Sequence, residues 1–120
     1  MIQKRTNPDF LNGVPELLLL QMLSAKPMYG YELVQAIRRG TGGGLEFGEG
    51  CIYPILHRLE AEGVLGSQRQ TVGGRSRVVY HLTRKGSQRL AQSVELWRQI
   101  VQAVNQALQG GEHGQPALVP

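Results

Sequence analysis

The chain has three histidines, His57, His81 and His113, and one cysteine, Cys51, and no carboxylate pair or Ser/His/Asp set can be placed among them for acid–base or nucleophilic work. Enzymatic catalysis is not expected, and no catalytic residue, metal site or cofactor is assigned. One cysteine excludes an internal disulfide and leaves no cysteine cluster for structural zinc. The residues that can do chemistry are arginines. Between Glu62 and Glu95 there is no acidic residue, while Arg69, Arg75, Arg77, Arg84, Lys85 and Arg89 all fall in that window. Cations gathered in this way attract a polyanion, and phosphates that shed their counterions make the attraction large. The net charge of +4, from 13 Lys and Arg against 9 Asp and Glu, points the same way but is weak support beside the clustering.

These cations need elements to position them. Cys51 to Gly63 has a helical pattern, with Ile52, Leu56 and Leu59 inward at i, i+4, i+7 and Pro54, His57, Arg58 and Ala61 outward. Its outward set, Gly50, Cys51, Tyr53, Pro54, His57 and Arg58, is small at the amino end and hydrogen-bonding along one side, which suits close approach to DNA. Pro54 lacks an N–H, so the helix is expected to begin near Gly50 or Cys51. Arg58 has a second option, an ion pair with Glu62 one turn on. Strands are expected at Val64–Thr71 and Arg75–Leu82, joined by Gly73-Gly74, whose two central positions can take positive φ. Alternation along the second strand puts Arg75, Arg77 and Val79 on one face, expected to meet solvent or DNA, and Ser76, Val78 and Tyr80 on the other. Arg69 is expected to join them at the hairpin tip. A helix feeding a basic hairpin predicts a winged helix-turn-helix, a mainly α fold with a small β hairpin (α+β).

Upstream, Phe10–Ala25 is a strongly apolar helix with Pro15 and Glu16 suiting its first turn, and Leu18 among the leucines that cover most of its circumference. A second helix runs from about Tyr29 to Arg39, with Gly30, Leu33, Val34 and Ile37 inward. Gly40 to Gly44 then forms a flexible turn; no Lys-Ser or Lys-Thr follows, so it is no phosphate-binding loop. Leu45-Glu46-Phe47 is expected to be briefly extended. Thr83 caps a last helix that reaches about Leu108, where Leu90, Val94, Trp97, Val101, Val104 and Leu108 recur at spacings 4, 3, 4, 3, 4. A helix of this length extends roughly 37 Å, more than a small domain covers, so homodimerisation through it and the Leu-rich first helix is expected. Packing of the stripe on its own first helix is the other option. Trp97 is either interface packing or, with Ile100 nearby, one wall of an apolar slot for a planar aromatic effector.

The expected organisation is a loose basic arm over 1–9, a DNA-binding domain over 10–82, a dimerisation helix over 83–109 and a disordered tail over 110–120. No apolar run follows the basic start closely, and Leu17 to Leu20 is far too short to span a bilayer. A soluble cytoplasmic protein without a membrane partner is expected.

Three stretches then carry a resemblance. Tyr29-Gly30-Tyr31-Glu32-Leu33, the run from Ile52 to Gly63, and Gly74-Arg75 leading to Tyr80-His81-Leu82-Thr83-Arg84-Lys85-Gly86 resemble, in order and spacing, the PadR family of bacterial transcriptional regulators. The resemblance spans most of residues 14 to 90. It implies a dimeric winged-helix repressor of a neighbouring transporter or detoxification gene, released by a small effector. The short carboxy-terminal region is similar to the subgroup in which one long helix makes the dimer and some members accept planar drugs between subunits. Ile52 stands where Leu is usual, and the glycine-rich stretch predicts an unusually loose turn before the third helix. The candidate DNA contacts are Tyr29, Gly50, Cys51, Tyr53, Pro54, His57, Arg58, Gly74, Arg75 and Arg77, acting on double-stranded DNA. Tyr53, Arg58 and the helix amino terminus would hold the backbone, and His57 is the candidate base contact. The alternative is a winged helix that docks a protein partner without binding DNA directly.

Overall fold

The computed structural model describes residues 13–110; the expected arm at 1–9, Phe10, His113 and the tail beyond Gly110 lie outside the described residues. The elements run α1 (Val14–Ala25), β1 (Met28–Tyr29), α2 (Gly30–Gly40), α3 (Glu49–Ala61), β2 (Leu65–Val72), β3 (Arg75–Leu82) and α4 (Arg84–Leu108). Pro15 lies in the first turn of α1, where a missing N–H breaks no helical bond, and Glu16 joins it there beside the positive end of the helix dipole. The hairpin β2–β3 closes on Gly73 and Gly74 at φ 59° and 80°, the pair of positive angles a two-residue turn requires.

Leu19, Leu20, Leu33, Ile37, Ile52, Leu56, Leu59 and Val64 are fully buried, and form one core with Leu23, Met28, Phe47, Leu65 and Tyr80. Burying each large aliphatic side chain contributes about 1.5–3 kcal/mol, so this core outweighs any single surface contact below. Thr83 caps α4 as its position predicts: its Oγ1 accepts the Gly86 N–H at 3.1 Å and its hydroxyl donates to the Gly63 carbonyl at 2.7 Å.

Five points refine or correct the expected fold. First, β1 has no counterpart among the expected elements; it pairs antiparallel with β3 through Met28↔Tyr80 and Tyr29↔Val79, making a three-stranded sheet of order β1-β3-β2. Two residues are too short to show alternation in a sequence. Second, the stretch Leu45-Glu46-Phe47, expected to be briefly extended, joins no strand of the sheet, and Phe47 is buried and fills the core. Third, α3 begins at Glu49, beside the expected start, and Pro54 falls inside the helix. Fourth, the glycine run is a hydrogen-bonded turn. The N–H groups of Gly42, Gly43 and Gly44 donate to Arg39, Arg38 and Thr41 carbonyls at 3.0, 2.8 and 2.9 Å, and Thr41 Oγ1 accepts the Leu45 N–H at 3.1 Å. Fifth, the face carrying Arg77 and Val79 is not open along its length: β3 is exposed at Arg75 and Ser76 and buried at Val79, which pairs with Tyr29 of β1, and Tyr80.

The chain divides into two units, one ending at Leu90 and the other beginning at Ala91. The first holds the sheet, α1 to α3 and the first turns of α4. In the second, Trp97, Val104 and Leu108 of the expected seam are exposed, with Leu96 and Ile100, while Val94 and Val101 are half-buried. Among the described residues no helix is long and apolar enough to cross a membrane.

Candidate nucleic-acid interface

The exposed face of α3 carries Gly50, Pro54 and His57, with Glu49 opening the helix. A helix amino terminus offers N–H groups to a phosphate, but the Glu49 carboxylate competes for that end. The Cys51 side chain is half-buried and packs against the core, so it does not point outward with its neighbours. Tyr53 is half-buried too. Its ring lies over Gly30, where any Cβ would collide with it, and its centroid is 6.1 Å from the His57 ring at a 44° tilt. Burial, then the nearby Glu49 carboxylate, push its phenol above the usual tyrosine value, against a smaller opposite pull from Arg77.

Arg58 is exposed but engaged. Its Nη2 donates to Glu16 Oε1 at 2.8 Å and its Nη1 lies 3.5 Å from Glu62 Oε2. Arg89 completes a four-membered network, donating to Glu16 Oε2 and to Glu62 Oε1, both at 2.9 Å. Hydrogen bonding to Glu16 raises the Arg58 pKa above its ordinary value, and hydrogen bonding to Glu62 does the same for Arg89. The Arg89 hydrogen bond in turn holds the Glu62 carboxyl below the ordinary carboxylate range. Lys85 Nζ donates to the Glu62 carbonyl at 2.9 Å, a cation at the negative end of α3.

The acid-free window therefore divides by surroundings. Arg89 and Lys85 fold back on α1 and α3. Arg69 pairs in register with Val78 and donates to Ser76 Oγ at 3.2 Å, so it belongs to the opposite hairpin face from Arg75 and Arg77. This corrects the expected gathering of all three arginines at one tip. Arg77 is half-buried rather than open to solvent as alternation implies. Its guanidinium carbon lies 4.7 Å from the centroid of the Tyr29 ring, and its Nε is buried with no acceptor among the described residues. Arg75 and Arg84 are exposed and, among the described residues, make no ion pair; Gly74 is exposed beside Arg75 at the tip.

The candidate dimer residues fall in both units. Leu18 and Leu90 are partly buried against the core of the first, and Trp97 and Ile100 lie about half exposed in the second, where Trp97, Arg98, Val101, Gln102 and Asn105 border a shallow groove. Among the described residues no group of histidine, cysteine and carboxylates could hold a metal ion.

Three helices around a small antiparallel sheet, with α3 exposed beside a glycine-tipped hairpin, define a winged-helix protein of the transcription-regulator class. Residues 19–92 match the transcriptional regulator PadR-like family, and the chain belongs to that family. Its members are transcriptional regulators, not enzymes. The transcriptional regulator Rv3488 of Mycobacterium tuberculosis is 31% identical over 96 residues, 80% of this chain and 87% of the relative. Among solved structures, a PadR-like transcriptional regulator from Bacillus cereus is 31% identical with a TM-score of 0.72, covering 84% of this chain and 97% of that one. Bacillus subtilis PadR, solved in complex with operator DNA, shares the fold at 24% identity and a TM-score of 0.63, over 68% of this chain and 46% of its own.

Proposed function

We propose that the protein is a homodimeric repressor that binds a pseudo-palindromic operator through α3 and the hairpin and works in the cytoplasm. The observation that carries this is the exposed apolar seam on α4, with Trp97 43%, Val104 50% and Leu108 73% exposed, in a chain whose fold is that of an operator-bound relative. An uncovered row of this kind is removed from water when a second copy supplies the matching row. Residues 10–82 form the DNA-binding domain and 83–109 the dimerisation helix. Gly50, Pro54 and His57 face the major groove, and Gly74 and Arg75 hold backbone beside it. Arg58, tied to Glu16 and Glu62, chiefly holds α3 against α1. Two-fold symmetry sets half-sites roughly 34 Å apart. A planar aromatic effector is accommodated at Trp97 and Ile100, both half exposed, once a second copy faces them.

Selecting bound fragments from random DNA tests the binding and yields the operator. Wild-type affinity is expected to fall on the order of 10³-fold between low and moderate salt. Arg75→Ala is expected to weaken binding for all sequences and to reduce the salt slope by about 1.8 per dimer, since each phosphate contact contributes about 0.9. A flat salt response of the wild type would refute the reading.

A further inference from the structure

We propose that Arg77 is a positioning residue that sets the hairpin against α3 through the Tyr29 ring, rather than the phosphate contact its place in a basic hairpin suggests. The inference rests on the DNA-binding reading above and gives the wing a fixed attitude toward the helix that reads the groove.

The register makes the contact. Tyr29 pairs with Val79, so its side chain lies on the same sheet face as Val79 and diagonally beside Arg77, two residues earlier on β3. There the guanidinium sits 4.7 Å from the ring centroid, within cation–π range, with its Nε buried and without an acceptor among the described residues. A buried N–H that no acceptor reaches is costly, and the negative ring face is the group that offsets it. That nitrogen is also out of reach of any phosphate.

Tyr29 joins three elements. It is half of β1, and its N–H donates to Glu32 Oε1 at 3.0 Å as α2 begins. Its neighbour Gly30 is the residue over which Tyr53 of α3 lies, and Tyr53 in turn meets His57 on the exposed face. A physical chain of contacts thus runs from Arg77 through Tyr29, Gly30 and Tyr53 to His57. Moving Arg77 off the ring loosens the wing at one end of this chain while leaving Arg75 at the tip.

Two measurements test this, one without DNA. In the isolated protein the Arg77 side-chain protons are expected to show an upfield NMR shift from the Tyr29 ring that disappears in Tyr29→Leu, and Arg77→Leu is expected to increase backbone amide mobility at Gly73 and Gly74. Absence of the shift, or unchanged mobility, overturns the proposal whether or not the protein binds DNA. With operator DNA, Arg77→Leu is expected to weaken binding about tenfold, the scale of a well-formed cation–π contact, with the salt slope of the wild type. Adding Tyr29→Leu is expected to cause no further loss. A slope reduced as far as in Arg75→Ala, or losses that simply multiply, overturns it. Should Arg77→Leu fail to fold, Arg77→Lys keeps the charge and loses the stacking plane, and is expected to weaken binding with the slope unchanged. Failure of the wild type to bind DNA would refute the regulator reading alone, since the DNA-free arm still decides the contact.

Discussion

Two glycines near helix starts show how differently one residue type can serve. Gly86, in the first turn of α4, is buried, and a Cβ there would collide with the backbone carbonyl oxygen of Val64. A carbonyl in the chain cannot swing aside as a side chain can, so Gly86→Ala is expected to cost about 1–3 kcal/mol, measured by urea denaturation. Gly50 has nothing within 4 Å of its would-be Cβ. Alanine there adds helix propensity, up to about 1 kcal/mol, so Gly50→Ala is expected to raise the thermal midpoint. The same methyl occupies the face proposed to approach DNA, and operator affinity is expected to fall; unchanged affinity would remove Gly50 from the interface. Neither contrast is visible in the string of letters, where both positions are a glycine followed by a helical pattern.

Between elements, the network of Glu16, Arg58, Glu62 and Arg89 joins the start of α1, the end of α3 and the first turns of α4. Solvent screening leaves exposed pairs worth less than one buried leucine, so the network orients helices that the core has already brought together. Its pH dependence has a defined sign. The Glu62 carboxyl is held below its ordinary range chiefly by the Arg89 hydrogen bond. A depressed folded pKa means stability that is present above the unfolded value and is lost as pH falls through the folded one. Chemical denaturation is therefore expected to show stability declining below about pH 4, with a shallower decline in Glu62→Gln. An identical acid profile in the variant would show that Glu62 has no part in it. Helical spacing points Arg58 to Glu62 at i, i+4 but not to Glu16, 42 residues away. Separation along the chain hides such a partner, and it withdraws Arg58 and Arg89 from the set of cations available to phosphate.

At the scale of the whole molecule, the proposed device needs two copies, because one reading helix and one wing bind weakly and a second pair at fixed spacing multiplies the affinity by about 10²–10⁴. Carboxylates placed in the seam by Val101→Asp with Val104→Asp would repel across the dimer axis and bury charge. Sedimentation is expected to give a monomer, and operator affinity is expected to drop by about 10²-fold or more. A variant that remains dimeric would place the interface elsewhere. Quenching of Trp97 fluorescence by planar aromatic dyes in the wild type, lost in that monomer, is the expected sign of an effector slot between subunits.

Much of the fold is legible in the amino-acid sequence because its signals are local. The periodicity of α2, α3 and α4, the paired glycines at the hairpin turn, β3 at Arg75–Leu82 and the Thr83 cap all follow from spacing and from the chemistry of single residues. The candidate site is only half legible there, since alternation and charge say which cations lie near one another along the chain and not what else arrives beside them. Tertiary structure decides that Arg69 turns to the other hairpin face, that Arg89 and Lys85 return to α3, and that a two-residue strand brings Tyr29 under Arg77. The basic stretch is determined by sequence alone. Which of its cations remain exposed to meet DNA is set by packing, because a long-range partner enters the balance only when folding has closed the distance.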